Sequence, residues 1–427
     1  MQTKELNRTQ QLLMVIILAY LIMKPYPGFM GENFLRIMDF SSIILIGAIL
    51  FLIYMTRFEV KISLSAGRTL LIIAAIFLWQ LISMGYNALF GGVVVLEDLV
   101  DMYKPLIMFS AFFLGSLLSV SPLFFEKAIK FFVIFQFFLC IIQMRFGGFS
   151  LGLFSGRDMT TIANEFSNRA IGTFGNPNFL AVFMASCAVW YFYKLLFVNK
   201  RNIFMFLISF GTVLITQSRT ATIIGLSTCL LVLVANILLA RKHKIRSFVI
   251  LIMSILVVYT AYHYVLINGQ HNSGQFGYLV SGISKVLSGD LVYQSSFQGR
   301  TLYWANIGVY IKSHPLIGSG PMKGELGAPN VADNNYVFIV YKYGFIGLAL
   351  WLFLTFTILK KTFKTIKYQA NKVAPVFVLL FWVVLLSSAL LIDIMEHIRY
   401  APITFFLTSL ALNVKNEDDY EFKRTDS

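Results

Sequence analysis

Five arginines have the residue type and the setting to bind a phosphate or a pyrophosphate. Each lies close to a long apolar run or in a turn near glycine, and they are Arg157, Arg169, Arg219, Arg300 and Arg399. A cation close to lipid is costly and usually serves a function. The planar guanidinium fork binds phosphate oxygens through two parallel hydrogen bonds. These residues therefore predict an anion site at a membrane boundary.

The segment RAIGTFGNPN runs from Arg169 to Asn178. Its two glycines allow the backbone to approach a ligand closely. The turn at Asn176 and Pro177 can start a helix, and a helix N-terminus attracts anions. We interpret Arg169, Asn176 and Asn178 as substrate contacts. The alternative is a plain turn with an arginine that reaches the lipid surface.

Two further arginines lie in tight or glycine-containing stretches. Arg219 stands in the sequence TQSRT between two apolar runs that almost no loop separates, so its position is closely restrained. Arg300 follows Gly299 in a longer polar stretch. The alternative for Arg219 is binding of lipid phosphate at the interface. The alternative for Arg300 is an exposed loop cation.

A carboxylate, an amide and an imidazole complete the candidate site. Asp333 and Asn334 stand where a later apolar run begins, and His314 precedes a stretch rich in proline and glycine. A carboxylate can accept the proton of a reacting hydroxyl group. The alternative for Asp333 is the N-cap of a helix, and for His314 it is a surface or structural role.

More charges stand near the last apolar run. Arg399 follows Asp393, Glu396 and His397 in one turn, where some of the charges can pair with each other. Lys342 falls inside an apolar run, so it either reaches the interface or faces a polar cavity.

The composition determines which elements carry these residues. The chain has 427 residues, of which 58% are hydrophobic and 13% charged, and its mean hydropathy is +0.75. This excess of apolar residues excludes a soluble domain and predicts an integral membrane protein. The three cysteines fall inside apolar runs, which argues against a disulfide framework or a zinc site. We expect no metal.

About twelve transmembrane helices are expected in a single integral membrane domain over residues 1–427. The apolar runs lie at roughly 11–23, 40–56, 69–90, 105–120, 128–144, 178–197, 203–217, 220–240, 247–267, 335–359, 373–392 and 400–414. Residues 268–334, between spans nine and ten, form one large extracytoplasmic loop with helix-like pieces near 278–288 and 300–314.

The net charge of +15 follows membrane topology. With both termini in the cytoplasm, the predicted inside segments hold most of the 35 Lys and Arg residues, as the positive-inside rule requires. The charge therefore needs no nucleic acid as a partner, and the five arginines lie on the outer side.

Taken in order, the motifs resemble a known family. They are RxxGTFGNPN, then QSRT, then GR followed by W and HPLIGxG, then DNNY followed by YGxxG. This order resembles the O-antigen ligase/polymerase (Wzy/WaaL-type) superfamily over roughly residues 145–410. The resemblance implies a multi-helix glycosyltransferase of the bacterial cytoplasmic membrane. Such an enzyme acts on undecaprenyl-pyrophosphate-linked oligosaccharide outside the cytoplasm, without a cofactor, nucleotide sugar or metal.

One departure favours a branch of that family. In the ligases, the residue before the matching asparagine is typically histidine, whereas this chain has Asp333 before Asn334. The chain is therefore more similar to the polysaccharide polymerases of surface O-antigen or capsule. The resemblance also implies a chain-length regulator and a flippase as partners.

We expect an inverting polymerase, because a lone carboxylate suits a single displacement. Its predicted catalytic residues are Asp333, Arg300 and Arg219. Its predicted substrate-binding residues are Arg169, Asn176, Asn178, His314, Asn334 and Arg399. The alternatives are a ligase that moves glycan to another acceptor and a transporter of lipid-linked sugars, although paired interrupted helices typical of transporters are not evident.

Overall fold

The computed structural model describes residues 2–24, 41–55, 62–90, 92–95, 98–118, 121–155, 169–239, 295–321, 333–368 and 372–413. These residues form helices joined by turns, and no strand occurs among them. The helices are α1 (Gln2–Met23), α2 (Ser41–Met55), α3 (Leu64–Leu89), α4 (Asp98–Leu117), α5 (Pro122–Phe146), α6 (Gly148–Ser155), α7 (Pro177–Phe197), α8 (Ile203–Thr216), α9 (Arg219–Leu239), α10 (Ser295–Ser313), α11 (Asn335–Tyr368), α12 (Val373–Ser388) and α13 (Tyr400–Leu412). A short 3-10 helix at Lys200–Asn202 precedes α8. The predicted all-helical class is confirmed for this part of the chain.

Four of these helices, α3, α7, α9 and α11, are long and apolar enough to cross a membrane. The α8 helix has 14 residues, so at about 1.5 Å per residue it is roughly 21 Å long and falls short of a full bilayer core. The predicted run over 247–267 lies outside the described residues. The apolar helices make this a membrane protein, while the number of twelve spans and their orientation stay predictions.

The α7 helix forms the centre of the bundle. Within its apolar window 78% of the residues are buried, against 39% for α3 and for α9. It packs against α8, α9 and α12. Its N-terminal end begins directly after the GTFGN turn, so the most enclosed of these four helices carries the first candidate segment.

Helices α4 and α13 approach each other closely at Gly115. A β-carbon at this position would lie 2.8 Å from the Phe406 carbonyl oxygen and 2.9 Å from the Ser409 side chain. Small residues permit such close backbone contact between membrane helices. This contact fixes the middle of α13, the helix that follows Arg399.

The α11 helix is interrupted at Gly344, where φ is 68° and ψ is −176°. Only glycine adopts this conformation readily. The segment 314–321 packs into the break, where Gly320 N donates to Lys342 O at 2.9 Å and Phe345 N donates to Pro315 O at 2.9 Å. The apolar run over 335–359 gives no sign of this break.

Helix α3 supplies the remaining donors to the interruption. Trp79 Nε1 donates to Tyr343 O at 2.8 Å, and Ser83 Oγ donates to Lys342 O at 2.9 Å. Backbone carbonyls at membrane depth need such partners because no water or helix bond replaces them. The break is therefore held from two sides.

The described part of the predicted 268–334 loop consists of residues 295–321 and 333–334. Its helix α10 begins at Ser295, five residues before the expected helix-like piece over 300–314. The expected piece near 278–288 lies outside the described residues.

Candidate functional site

Two buried glutamines of α5 shape the turn that follows Arg169. Gln143 Oε1 accepts from Ile171 N at 3.0 Å and from Gly172 N at 2.7 Å. Gln136 Oε1 accepts from Thr173 N at 3.2 Å. The two glutamines are seven residues apart, which places them on one face of a helix. The sequence interpretation missed them, although two amides at this spacing in an apolar run are a recognisable signal.

Glycines let this turn approach its neighbours. Gly172 and Gly175 have φ of 52° and 72°, in the left-handed region. A β-carbon at Gly172 would overlap the amide oxygen of Gln136, and one at Gly175 would overlap the guanidinium group of Arg399. The groups that come close to the backbone at these positions are side chains of the protein, and the approach to a ligand stays a prediction.

Arg169 joins two of the candidate motifs. Its Nε donates to Thr216 O at 3.0 Å, and its Nη2 donates to Asn178 Oδ1 at 3.1 Å. Thr216 ends α8 and Arg219 begins α9, so one guanidinium group connects the GTFGNPN segment to the QSRT turn. These acceptors are neutral, and they orient the guanidinium group without cancelling its charge.

The QSRT turn is tight and mostly buried. Gln217 adopts a left-handed conformation with φ of 54°, and its side chain and that of Ser218 are buried. Ser218 N donates to Thr216 Oγ1 at 3.3 Å. Arg219 follows as the first residue of α9 and is half-buried. The turn therefore restrains the backbone of Arg219, as its sequence setting predicts.

Asn176 is the N-cap of α7. Its Oδ1 accepts from Asn178 N at 2.8 Å. The amide oxygens of Asn176 and Asn178 are thus both used within the protein, one to cap the helix and the other to accept from Arg169. A substrate-binding role for either residue would use its amide nitrogen.

Arg399 holds the same loop from the opposite side. Its Nη1 donates to Phe154 O at 2.6 Å and lies 3.4 Å from Thr173 O, so it bridges the end of α6 and the GTFGN turn. Thr173 Oγ1 also donates to the carbonyl of Ile22 at the end of α1. A small cavity beside this contact is lined by Lys24, Arg399, Thr173 and apolar side chains.

The start of α11 is bonded to residues 389–399. Asn334 Oδ1 accepts from Tyr336 N at 3.0 Å and from Val337 N at 3.2 Å, so Asn334 is the N-cap. Asn335 is fully buried, and it donates its N–H to Ala389 O at 2.8 Å. Its Oδ1 accepts from the backbone N–H of residue 395 at 3.1 Å.

Asp333 directly precedes Asn334, the N-cap of α11. It is half-buried, with a left-handed φ of 49°, and its charge contributes to the raised pKa of Asp393, which burial raises most. The capping hydrogen bonds of Tyr336 N and Val337 N go to Asn334, the residue after Asp333. The roles of the Asp333 carboxylate as a base or as a cap stay predictions.

Behind this segment lies a buried network of charges. Lys342 Nζ is 2.5 Å from Asp101 Oδ2, and Lys104 Nζ is 2.7 Å from Asp101 Oδ1. Lys342 also lies over the Phe338 ring, 4.2 Å from its centroid. Of the two interpretations for Lys342, the polar interior is the observed one.

Glu396 belongs to the same buried region. Its Oε1 accepts from Trp351 Nε1 at 3.0 Å and lies 3.5 Å from Gln80 Nε2. Burial raises the pKa of Glu396 to about 7, although the nearby Lys104 opposes this shift. The sequence pointed to Glu396 only as a member of a charged turn.

Comparison with known protein families supports the resemblance over part of the chain. Residues 204–352 match the family model described as O-antigen ligase. The resemblance to the O-antigen ligase/polymerase superfamily is thereby confirmed. The matched stretch runs from α8 into α11 and includes Arg219 and Asp333. No curated protein matches the chain.

The superfamily match supports a membrane enzyme of O-antigen-type polysaccharide assembly. The structure brings Arg169, Asn176, Asn178 and the backbone of Arg219 together, with Arg399 on the other side of the same turn. Asp333 and Asn334 directly precede α11, whose first residue is hydrogen-bonded to the segment 389–399 that carries Arg399.

One predicted residue lies apart from this group, and two others lie wholly or partly outside the described structure. His314 lies beside the break in α11, where its Nδ1 is 3.0 Å from Ser313 Oγ and its ring packs edge-on against Tyr86. Arg300 lies on α10, and its side chain is outside the described part of the structure. Arg157 also lies outside the described residues.

Proposed function

We propose that this protein is a membrane glycosyltransferase that polymerises undecaprenyl-pyrophosphate-linked oligosaccharide repeats into a surface polysaccharide. The reaction would take place on the outer face of the cytoplasmic membrane. The observation that carries the proposal is the bridge from Arg169 to Thr216 O and Asn178, which joins two superfamily motifs beside Arg219.

The arginines have the charge needed to stabilise the pyrophosphate leaving group. When the sugar leaves its lipid carrier, negative charge develops on the pyrophosphate. Cations that the protein already holds in place stabilise that charge without reorganisation at the moment of reaction. Arg169 is held in this way by two hydrogen bonds to neutral oxygens. We assign Arg219 and Arg300 to the pyrophosphate, and Arg169 and Arg399 to the walls of its site.

The proposed bond changes need one base. A hydroxyl oxygen of the incoming repeat attacks the anomeric carbon of the growing chain, and the bond from that carbon to the pyrophosphate oxygen breaks. The electron pair leaves with the pyrophosphate, and the hydroxyl proton passes to the Asp333 carboxylate. Because Asn334 caps α11, the helix start does not need Asp333 as its cap.

A single displacement inverts the anomeric configuration. A retaining route needs a second carboxylate close to the first. Asp393 is near enough to sense the charge of Asp333, so the stereochemistry of the product is a direct test. Retention would overturn the single displacement and leave the transferase assignment intact.

The ligase is the second candidate, because the matched family model is described as O-antigen ligase. The sequence Asp333-Asn334 in place of a histidine before the asparagine favours the polymerase. A transporter of lipid-linked sugars would move its substrate without forming a bond.

One assay separates these candidates. Purified protein in lipid vesicles receives only a defined undecaprenyl-pyrophosphate-linked repeat. A polymerase makes longer chains and releases undecaprenyl pyrophosphate, whereas a ligase without its acceptor makes none. Translocated but unextended substrate would identify a transporter.

Variants locate the site in the same assay. Arg219→Ala and Arg300→Ala should each reduce chain extension by about 100-fold or more, the usual effect of removing one stabilising donor. Arg201→Ala is the matched control, because Arg201 is exposed on the short 3-10 helix before α8. Unchanged extension by both site variants, with normal amounts of protein in the membrane, would refute the proposed site.

A further inference from the structure

Glu396 is held at one oxygen by two donors from different helices. Its Oε1 accepts from Trp351 Nε1 of α11 at 3.0 Å and lies 3.5 Å from Gln80 Nε2 of α3. The side chain is almost fully buried, with 2% of the residue exposed. Glu396 thus joins the segment 389–399 to α11, which contains the break at Gly344, and to α3, which donates hydrogen bonds to that break.

The second oxygen of Glu396 and the amide oxygen of Gln80 have no hydrogen-bond partner among the described residues. An ionised carboxylate and an amide oxygen are both acceptors, so neither can satisfy the other. Leaving buried acceptors unsatisfied is destabilising. A protonated Glu396 supplies the missing donor, since its O–H can bond to the amide oxygen.

Charges of both signs face Glu396, and its burial is what favours the neutral acid. The carboxylates are Asp101 of α4 and Asp393 of its own segment, with Asp333 beyond Asp393, while Asp98 of α4 faces the neighbouring Tyr343. The cations are Lys104 and Lys342, and both bond to Asp101.

The remaining titratable neighbours of Glu396 are a phenol, an imidazole and a guanidinium group. Tyr343 is a buried phenol. Burial, together with the charge of Arg399, lowers the pKa of His397 to about 3, so this imidazole is neutral. The guanidinium group of Arg399 bonds to backbone carbonyls on the far side of its turn.

We propose that Glu396 is a proton-binding site whose protonated carboxyl group bonds to Gln80 and fixes the segment 389–399 against α3 and α11. Glu396 is then a positioning residue, since it stands three positions before Arg399 and does not contact the proposed reacting atoms. Burial raises the pKa of Glu396 to about 7, so the proton is bound at mildly acidic pH and released above neutral pH.

The direction of the stability effect follows from linkage. Folding raises the pKa of Glu396 from its ordinary 4.5 to about 7. The folded state therefore binds more protons than the unfolded state between these values. The stability that this group contributes is complete below pH 4.5 and is lost as the pH rises through 7.

Glu396→Gln tests the site because an amide has the shape of the protonated acid and carries no charge. Its oxygen can accept from Trp351, and its nitrogen can donate to the oxygen of Gln80. We expect the wild type and the variant in detergent to unfold at similar temperatures at pH 6. At pH 8.5 we expect the wild type to unfold at the lower temperature.

Glu126→Gln is the matched control, because Glu126 pairs with Lys194 near the C-terminal end of α7 and its side chain is 33% exposed. This control should keep the pH dependence of the wild type. Parallel curves for the wild type and Glu396→Gln between pH 6 and 8.5 would overturn the proposal.

Infrared difference spectra give a second measurement that does not depend on the variant being more stable. A protonated-carboxyl C=O band should be present in the wild type at pH 6, fade towards pH 8.5 and be absent in Glu396→Gln. Should that variant fail to fold, the wild type still gives a decisive negative result, because absence of the band at pH 6 would refute a bound proton.

Activity supplies a readout that a merely structural glutamate would not change. Above its pKa a single acid loses its protonated form about tenfold per pH unit. Because half of the acid is still protonated at its pKa, chain extension by the wild type should fall about fivefold between pH 7 and 8, and Glu396→Gln should remove that fall. Because the stability and infrared measurements use no substrate, they test the proton site even if the proposed polymerase activity is wrong.

Discussion

Cations are used differently in two regions of this molecule. At the GTFGN turn, the described hydrogen bonds of Arg169 and Arg399 go to neutral oxygens of the backbone and of Asn178. In the interior beside the break in α11, Lys104 and Lys342 both bond to one carboxylate, Asp101. A neutral acceptor orients a cation, whereas a carboxylate also cancels its charge.

The residue types agree with this difference. A guanidinium group is planar and can donate in two directions at once, so it can support a loop and still face a phosphate. An ammonium group is a compact point charge that is costly to bury without a counterion. We therefore expect the arginine region to control turnover and the lysine region to control stability.

Asp101→Asn should have the largest effect, and the effect should be on stability. It leaves two buried or partly buried ammonium groups without their counterion. Breaking a buried ion pair from one side costs about 3–5 kcal/mol. Thermal unfolding in detergent and the yield of folded protein measure this loss.

The double variant Asp101→Asn with Lys342→Met sharpens that test, because it removes the cation that is 3% exposed together with its partner. We expect it to recover part of the lost stability. Glu126→Gln leaves a single buried ammonium group, Lys194, without its counterion, so it should cost less than Asp101→Asn. Unchanged stability of Asp101→Asn would remove the distinction between the regions.

The sequence predicted the helical architecture and the motifs better than the contacts between them. Apolar runs specify helices directly, and the order of the motifs specified the family. The break at Gly344 was hidden because its unmatched carbonyls are satisfied by Trp79 and by the distant segment 314–321. No local pattern contains that information.

The same limit applies to individual side chains. The spacing of Gln136 and Gln143 places two amides on one helix face, but only the fold shows that they bind the GTFGN turn. Glu396 likewise looks like one charge of an exposed turn, yet it is buried against α3 and α11. The residues that touch substrate in our proposal are easier to find in sequence than those that position them.

Arg169→Lys should have the next largest effect, and it should be on activity. Lysine keeps the positive charge but lacks the fork that reaches Thr216 O and Asn178 Oδ1 together. We expect chain extension from the defined lipid-linked repeat to fall by about 100-fold, with the protein still present in the membrane. Full extension by the lysine variant would mean that charge alone suffices and that the two oriented bonds are dispensable.

Asn334→Ala should have the smallest effect, and it separates the cap of α11 from the chemistry beside it. Loss of the side chain that accepts from residues 336 and 337 costs about 1 kcal/mol, measured as a lower unfolding temperature. Asn334→Asp keeps a capping oxygen and should keep the stability. Asp333→Asn should do the opposite, since it spares the cap and removes the proposed base, so extension should fall while unfolding is unchanged. If Asp333→Asn instead lowers stability and leaves turnover intact, the carboxylate at position 333 belongs to the structural region, and the proton of the acceptor hydroxyl must leave by another group.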